Sequence, residues 1–458
     1  MWADGAQNEM LKRFYIRVTG PGLGGLVARV AGGTTLAQVA SMGLALLVGI
    51  FLARILGPEG LGVYSLAIAT IAVLNIPTEF SWSTYLMREA AGAHVRSDWG
   101  YLGAVFAWCT RTIFLMSLAV VIVAAAVLLF LPINHELRWT ILAALLLIPL
   151  IAQSNARDLA MRGMNLQLIG QLPMLILRPG MFLVFLSLAF VALGTMSAPQ
   201  AMLLHVLAMV AVVVAISILF WRNTPQVTAQ PSVAFDGRAA FRAAWPMGMT
   251  EGLRVLNGHL AVFLIGALTD AGAVGLFKVA DSIGMMCAMP LSILNIVAAP
   301  QIARLHAAND ARRLKKLVST VALGMTLGAA SLALFVMFFG AEILLPLFGA
   351  QFARAETPML ILCLGYALGA MLGPATVFMN MTGRERTVTR GIVVSFTANL
   401  VLGAALISTL DIVGAALANV AAYFIWYGWM WWEAKRQAGV DTSLVPALTG
   451  LQSPRNRA

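Results

Sequence analysis

Charged side chains are scarce in this sequence. Asp, Glu, Lys and Arg make up 11% of its 458 residues, whereas soluble domains carry roughly 25%. Such a chain cannot cover its surface for water, and 60% of its residues are hydrophobic. A spanning helix requires about 20 mainly apolar residues, and runs of this length recur along the whole chain. The composition therefore predicts an all-α membrane protein.

Cysteine and lysine are also rare, and each shortage excludes a class of function. The three cysteines, Cys109, Cys287 and Cys363, are odd in number and widely spaced, so they predict neither a disulfide framework nor a metal site. An ATP-driven pump needs a phosphate-binding loop that ends in Gly-Lys, and no lysine follows a glycine here. Short outer loops and scattered histidines argue against an enzyme. We expect no catalytic residue, metal or cofactor.

The net charge of +11 comes from short basic clusters between apolar runs. This distribution indicates membrane topology rather than nucleic-acid binding, for which no recognition motif is present. The predicted spans are 31–54, 61–87, 99–131, 136–160, 167–193, 197–221, 239–268, 272–299, 316–340, 357–381, 388–410 and 412–432. With these spans most basic residues lie on the side of the N terminus, and the opposite side holds Arg54, Arg138, Lys278 and Arg354. Because cytoplasmic loops are enriched in Lys and Arg, we expect both termini to be cytoplasmic and the spans to be even in number, about twelve.

The longest polar stretch inside the chain, residues 222–238, follows the sixth span and divides the sequence into two halves. The predicted parts are a cytoplasmic segment 1–30, a six-helix bundle 31–221, a cytoplasmic linker 222–238, a second six-helix bundle 239–436 and a cytoplasmic tail 437–458. Gly62-Val63-Tyr64 in the first half is echoed by Gly275-Leu276-Phe277 in the second. Transporters are often built from such repeats, so we expect two pseudo-symmetric six-helix bundles around a central cleft.

The turn between the first two spans reads FLARILGPEGLGVYSLA (Phe51 to Ala67), and the second span closes with YLMREAA (Tyr85 to Ala91). These residues resemble the polysaccharide-transporter branch of the multidrug/oligosaccharidyl-lipid/polysaccharide flippase superfamily, in which a helix ending in A-R-x-L-G-P-E-x-x-G-x-Y precedes a helix that closes in an Arg-Glu pair. The late segments NMTGRERTVTRGIVVSFTANLVLGAAL and DIVGAALANVAAY are similar to that family as well.

The resemblance implies two six-helix bundles that carry undecaprenyl-pyrophosphate-linked oligosaccharides outward across the bacterial inner membrane, for surface or exopolysaccharide biosynthesis. It also implies contact with membrane lipids and a glycan polymerase in the same membrane as a partner. Two relatives of the same superfamily are alternatives. A cation-coupled exporter of organic cations should have an acidic and aromatic pocket, and a peptidoglycan-precursor flippase usually has two further spans.

Charged residues inside the spans are the candidate functional residues, because each costs about 2.5–3.5 kcal/mol at mid-bilayer. Arg178 lies near the middle of its span, with no acid three or four residues away. Arg254 follows Glu251 by one turn, and Asp281 follows Lys278, so each of these pairs is either mutually neutralised or functional. Guanidinium groups bind phosphate oxygens bidentately. We therefore predict that Arg178 and Arg254 bind the pyrophosphate.

Further candidates are less deeply placed. Arg54, in the first turn, and Arg111, which is able to extend to the headgroups, are additional predicted substrate ligands. Asp281, Glu251 and Glu79 are predicted ion-coupling acids for proton or sodium antiport, and the same acids keep the organic-cation exporter open as an alternative. For Arg178, the alternative to an anion site is an ion pair with an acid on another helix, such as Asp281 or Glu251.

Overall fold

The computed structural model describes residues 23–79, 82–224, 227 and 237–449, and these residues are mainly helical. The helices are α1 Leu23–Leu74, α2 Ile76–Glu79, α3 Trp82–Arg96, α4 Trp99–Phe130, α5 His135–Leu145, α6 Leu147–Gly163, α7 Gln167–Leu172, α8 Arg178–Leu193, α9 Ala198–Asn223, α10 Gly237–Leu268, α11 Ala271–Cys287, α12 Met289–Ala307, α13 Ala311–Phe348, α14 Glu356–Ala370, α15 Ala375–Met381, α16 Glu385–Ala438 and α17 Val445–Thr449. A π-helical turn, Pro173–Leu177, joins α7 to α8, and a 3₁₀ segment, Ala350–Ala355, precedes α14.

In the described part of the chain, eight helices are long and apolar enough to cross a membrane, and two bent pairs raise the number to ten. The pairs are α11 with α12, bent by 46°, and α14 with α15, bent by 49°. Gly57 in α1 and Asp411 in α16 have non-helical backbone angles and divide their helices. The predicted class, an all-helical membrane protein, is confirmed. Twelve passes result if each of these two breaks separates two spans, and that step stays a prediction.

The ends of the helices and the break within α1 lie at two opposite faces of the molecule. The break in α1, the start of α11 and the end of α13 meet at one face, which we call the loop face. The last long helix, α16, ends at Ala438 on the opposite face, which we call the terminal face. α11 packs along α1, and α10 packs along α16. The two halves of the chain therefore meet through α1, α10 and α11.

The start of α10 lies against the first half of the chain. Gly237 lies beside the Trp108 ring, and the rings of Phe241 and Trp82 are 5.9 Å apart. Further along, α10 packs against α16 of the second half. One helix thus contacts both halves, and the division at residue 239 stays a prediction.

Two glycines bring α14 close to α16. Gly365 and Gly369 lie four residues apart, and a Cβ on either would overlap the side chain of Val420 or Tyr423, respectively. We expect Gly369→Val to lower the free energy of unfolding in detergent by about 1–3 kcal/mol, because overpacking forces the helices apart. Gly428→Val on α16 is the control, since a Cβ there meets no atom within 4 Å. Equal thermal stability of the two variants would contradict this packing.

The chain turns back into the bundle after α16. Residues 439–449, which we call the C-terminal strap, begin at Gly439 in a left-handed conformation. The Thr442 hydroxyl donates to the Leu372 carbonyl at 2.9 Å, and the Leu444 N–H donates to the Met371 carbonyl at 2.8 Å. Those carbonyls lie in the bend between α14 and α15. The strap, which is part of the segment predicted to be a cytoplasmic tail from residue 437, is therefore packed into the second half, and its cytoplasmic location stays a prediction.

Candidate functional site

An irregular turn sets the position of Arg178. The N–H of Arg178 bonds to the carbonyl of Pro173, which closes the π-helical turn Pro173–Leu177. Pro179 follows and has no N–H to continue the helical bonding pattern. A π turn inserts an extra residue and redirects the side chains that follow it, and such turns are frequent at functional sites. Arg178 therefore follows an irregular turn near the middle of the candidate membrane span Gln167–Leu193.

Aromatic side chains of three helices lie near this arginine. Phe182, one turn after Arg178 on α8, stacks on the His205 ring of α9 with ring centroids 4.6 Å apart. The Tyr64 hydroxyl of α1 and Nδ1 of His205 are hydrogen-bonded at 2.7 Å. Tyr64 and Phe182 are buried, whereas Arg178 and His205 are half-buried. The charge of Arg178 acts on both Tyr64 and His205, so we treat these four residues as one group, the Arg178 cluster.

Within the described ranges the guanidinium of Arg178 has no hydrogen-bond or ion-pair partner. The acids that the sequence offers as alternatives are engaged elsewhere, because Glu251 pairs with Arg254 at 2.5 Å and Asp281 with Lys278 at 3.0 Å. An unpaired arginine at membrane depth is unfavourable. An anion supplied from outside the protein would satisfy its donors.

Arg254 lies outside the Arg178 cluster. Its side chain is 60% exposed and that of its partner Glu251 is 52% exposed, so the described protein does not enclose this ion pair. An anion from outside the protein is therefore able to reach the guanidinium of Arg254. For both one-turn pairs, Glu251 with Arg254 and Lys278 with Asp281, the structure contains the ion pair that the sequence leaves open as the alternative to a functional role.

Glu79 ends α2 without a basic partner among the described residues. Its Oε1 accepts hydrogen bonds from Nδ2 of Asn75 at 2.6 Å and from Nδ2 of Asn155 at 2.8 Å. The Thr78 hydroxyl donates to Oδ1 of Asn75, which fixes the orientation of that amide. The charge of Glu251 on α10 acts on Glu79. Two neutral amides, rather than a cation, therefore hold this carboxyl group.

The other two predicted ligands lie elsewhere. Nε of Arg54 donates to the Leu347 carbonyl at 2.7 Å, and its Nη2 donates to the Pro346 carbonyl, both at the loop face. Arg111 is exposed on α4. The structure thus brings neither residue to the Arg178 cluster. In the part of the chain that the structure describes, no group of three or more His, Cys, Asp and Glu residues is arranged to hold a metal ion.

The sequence gives little sign of the aromatic members of the cluster. Tyr64 stands in the first-turn motif, where it serves only to mark the echo between the halves. His205 is one of five histidines without informative spacing. The signal that could have found them is the shared depth of Tyr64, Arg178 and His205 on three spans. Depth alone, however, does not say which faces of the helices meet.

Known structures share this helical arrangement. An inward-facing multidrug resistance MATE family transporter of the MOP superfamily matches with a TM-score of 0.69 and 14% identity, over 88% of this chain and 99% of that one. The lipid II flippase MurJ in an inward closed conformation matches with a TM-score of 0.66 and 13% identity, over 87% of each chain. A MOP superfamily transporter from Pyrococcus furiosus, whose binding pocket is described as reversed in polarity, matches with a TM-score of 0.61 and 14% identity, over 88% of this chain and 94% of that one.

The chain is thus a multi-pass membrane protein with the fold of MOP superfamily transporters. Residues 27–306 match the polysaccharide biosynthesis protein family, and the chain belongs to this family. A comparison with curated proteins finds no match. The resemblance read from the first turn is confirmed at the level of the family and of the fold.

Proposed function

We propose that this transporter is a flippase for undecaprenyl-pyrophosphate-linked oligosaccharide units, moving them from the cytoplasmic to the outer leaflet by alternating access. The observation that carries the proposal is the guanidinium of Arg178, which lies at membrane depth without an anion from the described protein. A pyrophosphate diester carries about two negative charges and offers oxygens in the paired geometry that a guanidinium fork prefers. The Tyr64 hydroxyl and the His205 ring provide further polar contacts beside it.

The two arginines have different parts in this proposal. Arg254 is exposed beside Glu251, so it meets the headgroup first. Arg178 is more enclosed, and it holds the headgroup during passage. The terminal face is the cytoplasmic face in this scheme, since the basic loops lie on that side, and the membrane is the bacterial inner membrane.

A cation-coupled exporter of organic cations is the second candidate. Glu79 favours it, because an acid without a basic partner would suit a cationic drug. The unpaired deep charge at the Arg178 cluster is positive, however, and would repel such a substrate. We therefore prefer the anionic lipid carrier.

Energy for transport has two candidate sources. Leaving an inside-negative cell releases about 2.3 kcal/mol per negative charge per 100 mV, so two charges would supply about 4–5 kcal/mol. Alternatively, an acid couples transport to protons or sodium. Asp281 and Glu251 each have a basic partner, whereas Glu79 is held by amides, so Glu79 is the foremost of the three ion-coupling candidates.

We expect Glu79→Gln to remove the ion-gradient dependence of transport, because an amide cannot bind and release a proton at neutral pH. The measurement is uptake of a lipid-linked oligosaccharide into proteoliposomes with a proton gradient, a sodium gradient or a potential alone. Glu89→Gln is the control, since Glu89 already pairs with Arg88 at the end of α3. Gradient-driven transport at the native rate in Glu79→Gln would exclude this acid as the coupling group.

Gene deletion tests the function itself. We expect lipid-linked oligosaccharide to accumulate on the cytoplasmic leaflet and the surface glycan to disappear, with both restored by a plasmid copy. Susceptibility to organic-cation drugs should stay unchanged. Normal surface glycan together with drug hypersensitivity would instead support the exporter.

A further inference from the structure

We propose that residues Arg54 to Gly62, the turn within α1, form a gate that closes the loop face in this structure and opens to release substrate. The inference rests on the alternating-access part of the proposed function and not on the identity of the substrate. Each part of this turn contacts the other half of the chain, and the contacts are described below from the centre of the gate outward.

At the centre, two glycines meet between the halves. A Cβ on Gly62 would overlap the carbonyl of Ala271, and a Cβ on Gly275 would overlap the carbonyl of Pro58. The contact is reciprocal, because each glycine admits a backbone carbonyl of the opposite helix. Gly62 and Gly275 are also the residues paired by the sequence echo between the halves. The pseudo-symmetric positions of the two repeats therefore touch each other at the loop face.

Beside this contact, Arg54 ties the first half to the end of α13. Its guanidinium donates to the carbonyls of Pro346 and Leu347, which belong to the last turn of that helix. Carbonyls in a last turn lack helical partners, and a positive charge suits the helix dipole there. The side chain of Arg54 remains exposed. Water is therefore able to solvate its guanidinium when the two hydrogen bonds break, and no buried charge is left.

The sharp bend between these contacts is fixed by Gly57. Its φ of +66° is a left-handed conformation that glycine adopts without strain. A Cβ at this position would lie 3.6 Å from the side-chain oxygen of Gln351, in the 3₁₀ segment after α13. A rigid hairpin would explain Gly57 and Pro58. It would not explain why Arg54, Gly57 and Gly62 all face the second half of the chain.

The bonds of this gate are suited to repeated opening. Among the residues that the structure describes, Arg54 bonds only to backbone carbonyls, which water is able to replace. Where Gly62 crosses Gly275, backbone lies against backbone, so separation withdraws no large side chain from a pocket at that point. A second arginine of the loop face, Arg354, instead pairs with Asp411 at 2.9 Å within its own half.

The test measures the distance between the halves rather than transport, so its outcome is independent of the substrate. Spin labels are attached to the variants Thr195→Cys, in the turn between α8 and α9, and Glu342→Cys, near the end of α13, two exposed positions in opposite halves. Cys109, Cys287 and Cys363 are replaced by alanine in the full chain. We expect Arg54→Ala to raise the ratio of long to short distances about tenfold, the effect of losing charge-assisted hydrogen bonds. Arg354→Ala is the matched control and should leave the ratio unchanged.

A second variant addresses the glycine crossing. Gly62→Ala should shift the same ratio toward long distances, whereas Gly49→Ala on the same helix should not, since a Cβ at Gly49 meets no atom within 4 Å. Native distances in both Arg54→Ala and Gly62→Ala would show that these contacts are not a gate. An equal shift in Arg354→Ala would also overturn the proposal, because it would mean that any loss of charge at this face moves the halves. If Gly62→Ala does not fold, the exposed Arg54 variant still decides between these outcomes.

Discussion

Arg178→Gln should abolish delivery of the lipid-linked oligosaccharide to the outer leaflet while leaving the protein inserted and folded. Glutamine keeps much of the side-chain length and some hydrogen bonding but removes the positive charge and the guanidinium fork. Because the described protein supplies no anion to Arg178, its removal leaves no buried partner charge unpaired. Folding should therefore be unaffected, and the loss should appear in substrate binding. The measurement is complementation of surface glycan in a deletion strain, with membrane levels of the variant checked by immunoblotting.

Two further variants separate charge from geometry. Arg178→Lys keeps the charge as a single ammonium, so we expect reduced but measurable transport. Arg111→Gln changes another arginine, which lies exposed on α4 and has no hydrogen-bond or ion-pair partner among the described residues, and we expect this variant to transport normally. Native transport by Arg178→Gln, or an equal loss in Arg111→Gln, would remove the Arg178 cluster as the headgroup site.

The features that sequence predicts well are those fixed within a single helix. The hydrocarbon layer demands long apolar runs, so the spans follow from composition. Positions three residues apart face each other on any helix, and the two ion pairs that this spacing allows, Glu251 with Arg254 and Lys278 with Asp281, are present. The break at Gly57 also follows from local chemistry, because Pro58 does not continue the helix before it.

Contacts between different helices could not be predicted from the sequence. Tyr64 and His205 are 141 residues apart in the chain, and their meeting depends on how α1 packs against α9. The same limit applies to Arg54, which the sequence offers as a substrate ligand. Its acceptors, the carbonyls of Pro346 and Leu347, are backbone atoms with no signature in the side-chain pattern.

The strap shows the same limit at the end of the chain. Residues 437–458 follow an aromatic and basic helix end, and nothing in their composition indicates a docking site. That site is created by the bend between α14 and α15, where Gly373 has a φ of +71° and Pro374 has no N–H. The bend leaves the Met371 and Leu372 carbonyls without helical partners, and the strap supplies the missing donors.

An anchoring carboxylate holds the strap in place. Asp441 accepts hydrogen bonds from Nε1 of Trp431 at 2.8 Å and from the Ser443 N–H at 3.0 Å. Burial raises the pKa of Asp441, but the hydrogen bonds from Ser443 and Trp431 and the charge of Lys435 outweigh burial, so the net pKa lies below its ordinary value. A carboxylate with a lowered pKa stabilises the fold above the ordinary Asp pKa of about 3.9, and this contribution is lost only as the pH falls through the lowered value. At neutral pH the anchor is therefore intact.

Deletion of residues 440–458 should consequently destabilise the transporter strongly. The deletion removes the two hydrogen bonds to the Met371 and Leu372 carbonyls, each worth about 0.5–1.5 kcal/mol. The deletion also removes the buried side chains of Val440 and Leu444, each worth about 1.5–3 kcal/mol. We expect a loss of at least about 4 kcal/mol in the free energy of unfolding, observed as a lower thermal midpoint in detergent and a lower yield.

Deletion of residues 450–458 alone is the matched control, because it leaves every described strap contact in place and should not lower the thermal midpoint. Thr442→Val tests the mechanism more finely. It keeps the side-chain shape but removes the hydroxyl that donates to Leu372, so its loss of stability should be smaller than that of the deletion and greater than zero. If the 440–458 deletion is as stable as the native chain, the carbonyls at the bend must find other donors, and the strap does not hold the second half together.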